Sequence, residues 1–488
     1  MNRPPVAWAP VGAVAAAVTV VLLAFAGRYD YHRDELYFRM LGQHPAWGYV
    51  DQPPATPLLA RLGTSLFGDS LWGLRAPAAL CTAVTAVLVA LIACEVGGGR
   101  AAQTLAALVA AGGFPLIAGH VLLTATIDMV VWPAALLGVI RALLRDQPRW
   151  WLFVGAVVGL ALYNKHLIVL LLLAIGLGLL LVGPRRVLRS PWLWAGVGIA
   201  LVVGAPNLVY QATHDWPQLK MAEALARNKG DEARLTFVPL QLLMLGPPVA
   251  AIWIAGLVKL LRDPALRPIR AVGVAYLALC VVVPLIAGQP YYTLGLQLAL
   301  WAVGAVATVN WVAGRAGRRA LVVTAMVLNA AVAALIALPI LPIPALARTP
   351  IPEINQATRD QIGWPAYVRQ VAEAYRGLSA DEAGHAVIVT GNYGEAGAID
   401  RYGLRHGLPK VYSGQNELYN LGPPPESASV AILVGMGGGR SSFDSCQAVT
   451  RLDNGVGIDN EEQGRTVWVC RGRHLPWREL WPSFQHYD

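Results

Sequence analysis

Two adjacent carboxylates, Asp34 and Glu35, could act as acid or base in a reaction. They stand in the segment YHRDELYFRMLGQHPAWGYVDQPP (residues 31–54), which directly follows the first long apolar run. A carboxylate beside a reacting hydroxyl can accept its proton as a general base. Neighbouring helix positions point about 100° apart, so the two side chains cannot both face one substrate atom. We predict that one acid acts on a substrate and the other braces the fold. The alternative is that both only favour the positive end of a helix dipole.

A third acid, Asp128, lies in LLTATIDMVVW, at the start of another apolar run. An ionisable side chain in such a run is costly unless it is paired or functional. Asp128 is therefore predicted as a second acid of the same site. The alternative is an acid at the membrane surface that stays hydrated.

Basic and aromatic side chains interrupt two further apolar stretches. Lys165 and His166 break the block at residues 151–182, and Tyr291 and Tyr292 follow a Gly-Gln-Pro turn. A cation there can meet a phosphate, or it can be a turn residue that reaches to the membrane surface. The tyrosines either line a sugar or lipid site or belong to an aromatic belt. The predicted donor- or phosphate-binding residues are Arg33, Lys165, His166, Tyr291 and Tyr292, and the predicted substrate-lining residues are Tyr37, Tyr49, Asp51 and Gln52.

The elements that must position these residues are mostly membrane helices. The chain has 488 residues, of which 56% are hydrophobic and 14% are charged, whereas soluble proteins carry about 25% charged residues. Apolar stretches long enough to cross a bilayer recur from Val11 to Leu341, and the composition becomes ordinary after Arg348. We predict an α-helical polytopic membrane domain at residues 1–345 and a soluble α/β domain at residues 346–488. The predicted spans number about eleven, at residues 11–26, 71–95, 101–117, 127–141, two within 151–182, 192–210, 237–261, 271–287, 294–312 and 321–341.

The positive charges set the orientation of these spans. The net charge is +9, but the arginines and lysines cluster between apolar runs on alternate connections, which is the positive-inside pattern. The clusters are Arg141, Arg145 and Arg149; Arg185, Arg186 and Arg189; Lys259, Arg262, Arg267 and Arg270; and Arg315, Arg318 and Arg319. The basic excess is therefore a topology signal, and no nucleic-acid partner is predicted. The protein is expected in the cell membrane, with the acids and the tail on the outer side.

Three outer segments follow from this topology: residues 28–70, residues 213–234 and the tail. The first contains two apolar stripes at helical spacing. Two short helices that lie along the outer membrane surface, joined by an aromatic turn, are predicted there. The first stripe is Tyr37, Met40, Leu41 and His44, and the second is Leu58, Leu59, Leu62 and Leu66.

The tail combines helices and strands. HAVIVTGNY and VAILVGM have the pattern of buried strands. Gly391, Gly394 and Gly397 form a Gly-x-x-Gly-x-x-Gly pattern after the first strand, which can cradle a phosphate, although we favour acceptor binding or a lid for the tail. Cys446 and Cys470 have no metal-binding spacing. They are the only cysteines on the oxidising side, so a disulfide between them is predicted.

The motifs RDELYF, VDQPP, TATIDM and GQPYY, in this order, resemble those of the GT-C glycosyltransferases. The similarity is greatest to actinobacterial members of the branch that holds the protein O-mannosyltransferases and the lipid A aminoarabinose transferase. The tail segment VIVTGNYGEAGAIDRYG is also similar to theirs, and the resemblance covers essentially the whole chain.

The resemblance implies transfer of a sugar, with inversion, from a polyprenyl-phosphate donor at the outer membrane face. It implies that Asp34 is the catalytic acid of the first loop, that Glu35 is its neighbour and that Asp128 is the second acid. The lipid A enzymes have a lysine directly before the Pro-Pro pair, and this chain has Gln52 there. Lys165 is therefore the better candidate for the phosphate.

The expected reaction needs few components besides the donor, the bilayer and a glycan, lipid or protein acceptor. Polyprenyl phosphate is a good leaving group, so one carboxylate can serve as base without a general acid. One or two cations can stabilise the phosphate. No cofactor is predicted, and a divalent cation is left open. The alternative function is a flippase or transporter of lipid-linked sugars, with the tail as a binding domain. Against it, the chain shows no repeat and carries its acids at one face.

Overall fold

The computed structural model describes residues 3–488. Its first part is the membrane region, which holds fifteen α-helices within the described residues. These helices are α1 (Trp8–Phe25), α2 (Arg33–Gln43), α3 (Ala55–Phe67), α4 (Leu71–Glu95), α5 (Arg100–Ala107), α6 (Gly113–His120), α7 (Thr124–Leu144), α8 (Trp150–Ala161), α9 (Ile168–Leu181), α10 (Pro191–Thr213), α11 (Pro217–Leu243), α12 (Ala250–Arg262), α13 (Arg270–Leu285), α14 (Leu294–Val312) and α15 (Ala316–Ala337).

The second part is the tail, a sheet domain covered by helices. Its elements are α16 (Ile343–Leu346), α17 (Ile351–Ile354), α18 (Gln356–Arg359), α19 (Trp364–Arg376), α20 (Ala380–Gly384), β1 (Ala386–Thr390), α21 (Tyr393–Tyr402), β2 (Val411–Ser413), β3 (Val430–Val434), β4 (Phe443–Arg451), β5 (Thr466–Arg473) and α22 (Trp477–Leu480). The five strands have the order β2-β1-β3-β5-β4. β1 runs parallel to β2 and β3, and β5 runs antiparallel to β3 and β4. Both predicted strands, β1 and β3, are present and fully buried, so the predicted α/β domain is confirmed.

The predicted spans correspond to apolar helices, but four of them are not straight crossings. Among the described residues, seven helices are long and apolar enough to cross a bilayer, and two bent helix pairs raise that number to nine. The remaining two predicted spans are α8 and α9, with 12 and 14 residues, where a crossing takes about 20. Seven to nine spans are therefore supported where about eleven were predicted: α5–α6 and α11–α12 are bent, and α8 and α9 are short.

The two bent pairs contact each other where they bend. α5 and α6 meet at 57°, and α11 and α12 meet at 61°. The second bend follows from Gly246, which has φ +108°, and from Pro247, which has no N–H to donate. Phe114 at the first bend donates its backbone N–H to the carbonyl of Met244 at the second, over 2.7 Å. Each bend thus satisfies backbone groups that a lipid environment would leave unpaired. The expected outer segment at residues 213–234 is largely the polar first half of α11.

The first loop contains the two predicted helices, α2 and α3, and they face different surroundings. On α3 the side chains of Leu58, Leu62 and Leu66 are exposed, as expected of a helix at a membrane surface. On α2 the side chains of Tyr37 and Leu41 are buried in a hydrophobic core that the loop shares with the tail. The apolar side of α2 is therefore covered by the tail and by α4, and its position along the membrane surface stays a prediction.

The sheet of the tail carries the predicted disulfide. Cys446 on β4 and Cys470 on β5 lie opposite each other in the register of the two strands and are bonded. The bond ties the edge strand to its neighbour.

Candidate active site

The predicted acids, cation and tyrosines meet at one end of the membrane region, which we call the tail side. Five segments form the site: the starts of α2, α7 and α21, the turn at residues 164–166 between α8 and α9, and the 3₁₀ turn Pro290–Thr293. Arg141 and Arg145 lie at the opposite end, where both bond to Glu95 at the end of α4. Asp34 and Asp128 both lie within electrostatic reach of Tyr291.

Asp34 is the accessible acid of the adjacent pair. Its side chain is 29% exposed. Its Oδ1 accepts a hydrogen bond from the Tyr393 hydroxyl at 2.9 Å, and its backbone N–H donates to Nδ1 of His32, the residue that caps α2, at 3.2 Å. The second oxygen, Oδ2, is 3.9 Å from His32 Nδ1 and accepts no hydrogen bond from residues 3–488. This oxygen is free to take a proton from a bound hydroxyl.

Glu35 is fully buried and surrounded by donors. Its Oε1 accepts from Nε of Arg75 at 3.1 Å and from the backbone of Leu122 at 3.1 Å. Its Oε2 accepts from Nη2 of Arg75 at 3.0 Å and from the backbone of His32 at 2.9 Å. These bonds tie α2 to α4 and to the segment before α7. Buried in this way, the Glu35 carboxylate cannot contact a substrate. Its hydrogen bonds are those expected of a residue that braces the fold.

Asp128 lies in the second turn of α7 and is held by a polar side chain of the turn at residues 164–166. Nδ2 of Asn164 donates to Asp128 Oδ1 at 2.9 Å, while Oδ1 of Asn164 accepts from the Thr56 hydroxyl of α3 at 2.9 Å. The other oxygen of Asp128 is buried and has no hydrogen-bond partner in the described chain. Buried polar atoms are normally paired, so Oδ2 of Asp128 is ready to accept a bond from a ligand.

A small pocket lies beside Asp128, with Trp132, Tyr291 and Tyr292 in its wall. Lys165 lies next to these tyrosines. Its Nζ is 3.4 Å from the Tyr291 hydroxyl, and 5.2 Å and 6.0 Å from the centroids of the two rings. Aromatic faces hold an ammonium without neutralising it, and no carboxylate within residues 3–488 forms an ion pair with Lys165. Within the same residues, no three His, Cys, Asp or Glu side chains are arranged to hold a metal ion.

Arg33 and His166, both predicted to bind phosphate, have other partners. The Arg33 guanidinium forms an ion pair with Glu461 of the tail and lies 4.9 Å from the Tyr393 ring centroid. Nε2 of His166 is 2.9 Å from Oδ1 of Asn207, whose Nδ2 donates to the carbonyl of Trp47 at 2.8 Å. Arg33 thus ties the tail to the first loop, and His166 ties the turn at residues 164–166 to α10, while phosphate binding by either residue stays a prediction.

Tyr37 and Asp51, both predicted to line the substrate, form a pair beneath the tail. The buried Tyr37 hydroxyl donates to Asp51 at 2.9 Å, and its ring stacks on that of Tyr393 with 4.7 Å between centroids. Burial raises the pKa of Asp51 to about 7, helped by the nearby carboxylates of Glu417 and Asp34 and opposed by the bond from Tyr37. Asp51 is partly exposed and is the more accessible residue of the pair.

Tyr49 and Gln52, the other two predicted lining residues, are buried inside the turn before the Pro-Pro pair. The Tyr49 backbone donates to the Gln52 carbonyl at 2.9 Å, and the Tyr49 hydroxyl donates to the carbonyl of His44 at 3.1 Å. Both residues therefore shape the turn. The side-chain nitrogen of Gln52 has no hydrogen-bond partner in the described chain, and contact of the two residues with a substrate stays a prediction.

Three residues of the site had not been singled out in the sequence: Tyr393, Arg75 and Asn164. Asn164 gave the clearest signal, because it stands beside Lys165 in the same break of an apolar block. Arg75 is a lone arginine four residues into a span, and an unpaired charge there predicts a buried acidic partner. Tyr393 belongs to the tail segment whose resemblance was noted, but nothing in its surroundings indicates contact with a residue 359 positions earlier.

The glycine pattern of the tail serves helix packing and not phosphate binding. The carboxylate of Glu395 already accepts the backbone N–H groups of Gly391 and Asn392, at 3.0 Å and 3.2 Å. A Cβ at Gly397 would lie 2.6 Å from the Leu36 Cβ. The missing side chain at Gly397 lets α21 lie directly on α2. The glycines therefore do not form the phosphate cradle that was considered as an alternative.

Comparisons with known proteins agree with this architecture. A family model described as dolichyl-phosphate-mannose-protein mannosyltransferase matches residues 51–210, a region that contains Asp128 and Lys165. The solved structure of ArnT from Cupriavidus metallidurans bound to undecaprenyl phosphate matches with a TM-score of 0.61 and 16% identity, over 94% of this chain and 97% of that chain. The apo state of ArnT matches with a TM-score of 0.55 and 15% identity, over the same shares of both chains. A comparison with curated proteins gives no match.

ArnT has the same fold along nearly the whole of both chains, and the family match covers the central part of the membrane region. The resemblance predicted from the motifs is thereby confirmed. The chain is a multi-pass membrane protein with the fold of ArnT, and its residues 51–210 match the dolichyl-phosphate-mannose-protein mannosyltransferase model.

Proposed function

We propose that the chain is an inverting glycosyltransferase that moves a sugar from a polyprenyl-phosphate donor to a hydroxyl of a cell-envelope acceptor. The observation that carries the proposal is that an accessible carboxylate and a cation without an acidic partner lie in the same site on the tail side. Asp34 offers a free oxygen, and Lys165 lies beside the pocket without an acidic partner. The undecaprenyl phosphate in the similar ArnT structure supports the choice of donor class.

The proposed reaction is a single displacement in which each group has one task. Asp34 Oδ2 takes the proton of the acceptor hydroxyl while that oxygen bonds to the anomeric carbon of the sugar. The bond between the anomeric carbon and the phosphate oxygen breaks, and its electron pair leaves with polyprenyl phosphate. Lys165 stabilises the charge that the phosphate gains. Attack from the face opposite the leaving group inverts the anomeric centre. Asp128 accepts a hydrogen bond from a sugar hydroxyl. A divalent cation is not needed for any of these steps.

The transporter alternative has weaker support. Transporters place their charged residues near the middle of the bilayer, on broken helices. The two bent pairs of this chain carry no acid at their bends, and both acids of the site lie near helix starts on the tail side.

The proposed orientation places the active site and the tail on the outer side of the cell membrane. The arginine clusters lie at the opposite end, as the positive-inside pattern requires of cytoplasmic loops. The disulfide of the tail supports the same orientation, because such bonds persist in oxidising compartments.

The first prediction tests the base. Purified protein in lipid nanodiscs would be supplied with a panel of polyprenyl-phosphate sugars and envelope acceptors, and release of polyprenyl phosphate would be measured. Asp34→Asn keeps the shape but cannot take the proton, so we expect a loss of about 10²- to 10⁴-fold in kcat with normal yield and folding. Glu35→Gln should act mainly by lowering stability, because Glu35 is buried against Arg75.

The matched control for this prediction is Asp231→Asn, since Asp231 is 97% exposed on α11, and it should leave kcat unchanged. Full activity in Asp34→Asn would refute the assignment of the base. An inactive Asp128→Asn beside it would move the base to α7.

A further inference from the structure

Tyr393 comes from the tail, yet its hydroxyl makes the one side-chain hydrogen bond that the Asp34 carboxylate accepts from the described residues, at 2.9 Å. We propose that Tyr393 is a positioning residue, which holds the Asp34 carboxylate so that Oδ2 faces the acceptor hydroxyl. This inference rests on the proposed function, and it makes the tail a working part of the active site.

The ring of Tyr393 is held on several sides. It stacks on Tyr37 at 4.7 Å and 28° between planes, and the Arg33 guanidinium lies 4.9 Å from its centroid. Its backbone N–H donates to Oε1 of Gln415 at 2.7 Å. A phenol fixed in this way gives the carboxylate one orientation, whereas a carboxylate with no donor rotates about its own axis.

The packing of α21 on α2 fixes the distance between the hydroxyl and the carboxylate. Tyr393 is the first residue of α21, and Asn392 caps that helix. Gly397, one turn further along, lies against Leu36 of α2. Asp34 and Leu36 belong to the same helix, so the close contact at Gly397 and the hydrogen bond at Tyr393 belong to one rigid interface.

The protonation state of Tyr393 agrees with a donor role. Burial raises the pKa of Tyr393 well above its ordinary value, and the charge of Asp34 raises it further. The hydroxyl therefore keeps its proton and donates a hydrogen bond to Asp34. Tyr393 takes no part in the proton transfer itself.

Tyr393→Phe tests the inference, because phenylalanine keeps the stacked ring and removes only the donor. The matched control is Tyr402→Phe on the same helix, since the Tyr402 hydroxyl also donates to an aspartate of the first loop, Asp30. We expect Tyr393→Phe to lower kcat by roughly 10- to 100-fold, the cost of a misplaced catalytic group, with the KM for the donor within about 3-fold. Tyr402→Phe should leave both constants within about 3-fold.

A second comparison separates positioning from a general structural effect. In the Asp34→Asn background, adding Tyr393→Phe should cause no further loss, because the group it positions is already inactive. A further loss by the same factor as in the native background would overturn the inference, and so would equal kinetics in Tyr393→Phe and Tyr402→Phe. Both results leave the proposed function standing. No turnover of any donor by the native protein, or full activity of Asp34→Asn, overturns the proposed function and this inference with it.

Discussion

At the residue scale, the adjacent acids Asp34 and Glu35 have opposite environments. Helix geometry alone predicts that only one of them faces a substrate. Which one does so depends on Arg75, which lies 40 positions later and meets Glu35 inside the protein. Because Arg75 is so distant in the sequence, its contact with Glu35 could not be predicted. The two adjacent acids were visible in the sequence, but their different roles follow only from the structure.

Lys165 is the cation that we propose for the donor phosphate, and its contacts distinguish it from the other predicted cations. Arg33 and His166 already have protein partners, while Lys165 meets only tyrosine rings and a hydroxyl among the described residues. A carboxylate in an ion pair neutralises the charge of the cation, whereas the face of an aromatic ring does not. The sequence alone could not make this distinction, since all three side chains stand near the same membrane surface.

The second prediction concerns Lys165. Lys165→Ala should raise the KM for the polyprenyl-phosphate donor and lower kcat by roughly 10-fold or more, because the leaving phosphate loses a charge-assisted contact. Lys165→Arg should keep part of the activity, because it retains the charge in a different shape. The measurement is initial rate against donor concentration.

A matched control for Lys165 exists in the tail. Lys410 lies 5.1 Å from the ring centroid of Tyr412, so Lys410→Ala removes a similar contact with an aromatic ring, far from the pocket, and should leave the kinetics unchanged. Unchanged donor kinetics in Lys165→Ala would reduce Lys165 to a residue of the turn.

At the element scale, run length predicts where helices lie but not where they bend. The apolar residues of α11 and α12 form one hydrophobic stretch, and only Gly246 and Pro247 mark the 61° bend. The matching bend between α5 and α6 falls at Gly112 and Gly113, just before Pro115, and Phe114 at this bend donates its backbone N–H to Met244 at the other bend. Contacts of this kind between distant segments leave no local pattern to read.

The glycines of α21 illustrate the same limit. A Gly-x-x-Gly spacing after a strand fits both a phosphate cradle and a close helix contact. The choice is made by Glu395, which fills the helix start, and by Leu36, which fills the space beside Gly397. Leu36 lies far away in the sequence, so the pattern alone left both possibilities open.

The third prediction tests the contact between α2 and α21. Gly397→Ala places a Cβ 2.6 Å from the Leu36 Cβ, so the helices must move apart. We expect a destabilisation of about 1–3 kcal/mol from overpacking, together with a loss of kcat, because Tyr393 moves away from Asp34. Apparent Tm and transferase rate would be measured on the same samples.

The control for Gly397→Ala is the same substitution in open space. A Cβ at Gly384, at the end of α20, meets no atom within 4 Å, so Gly384→Ala should change neither the Tm nor the rate. If Gly397→Ala kept both the native Tm and the native rate, the α2–α21 contact would have no part in holding the site.

At the scale of the whole molecule, composition alone predicted the division into membrane helices and an α/β tail. It did not predict that the tail shares a hydrophobic core with the first loop, including Leu36, Trp364 and Ile388. Each segment has the composition of an independent unit, and their joint burial depends on three-dimensional proximity. The membrane region and the tail are therefore separate in sequence but joined at the site, where α2 contributes Asp34 and α21 contributes Tyr393.

The last prediction tests the orientation of this site in the membrane. The proposed transfer requires the site, the donor sugar and the acceptor to lie on the same, outer side. Leu404 is an 87% exposed residue of the tail, and Ala316 is the exposed first residue of α15, next to Arg315. In intact cells, a membrane-impermeant maleimide should label Leu404→Cys. The same reagent should label Ala316→Cys only after lysis, because basic loops stay in the cytoplasm. The parent chain sets the background, since its free cysteines Cys81, Cys94 and Cys280 lie in membrane helices. The reverse labelling pattern would place Asp34 and the tail in the cytoplasm and refute transfer at the outer face.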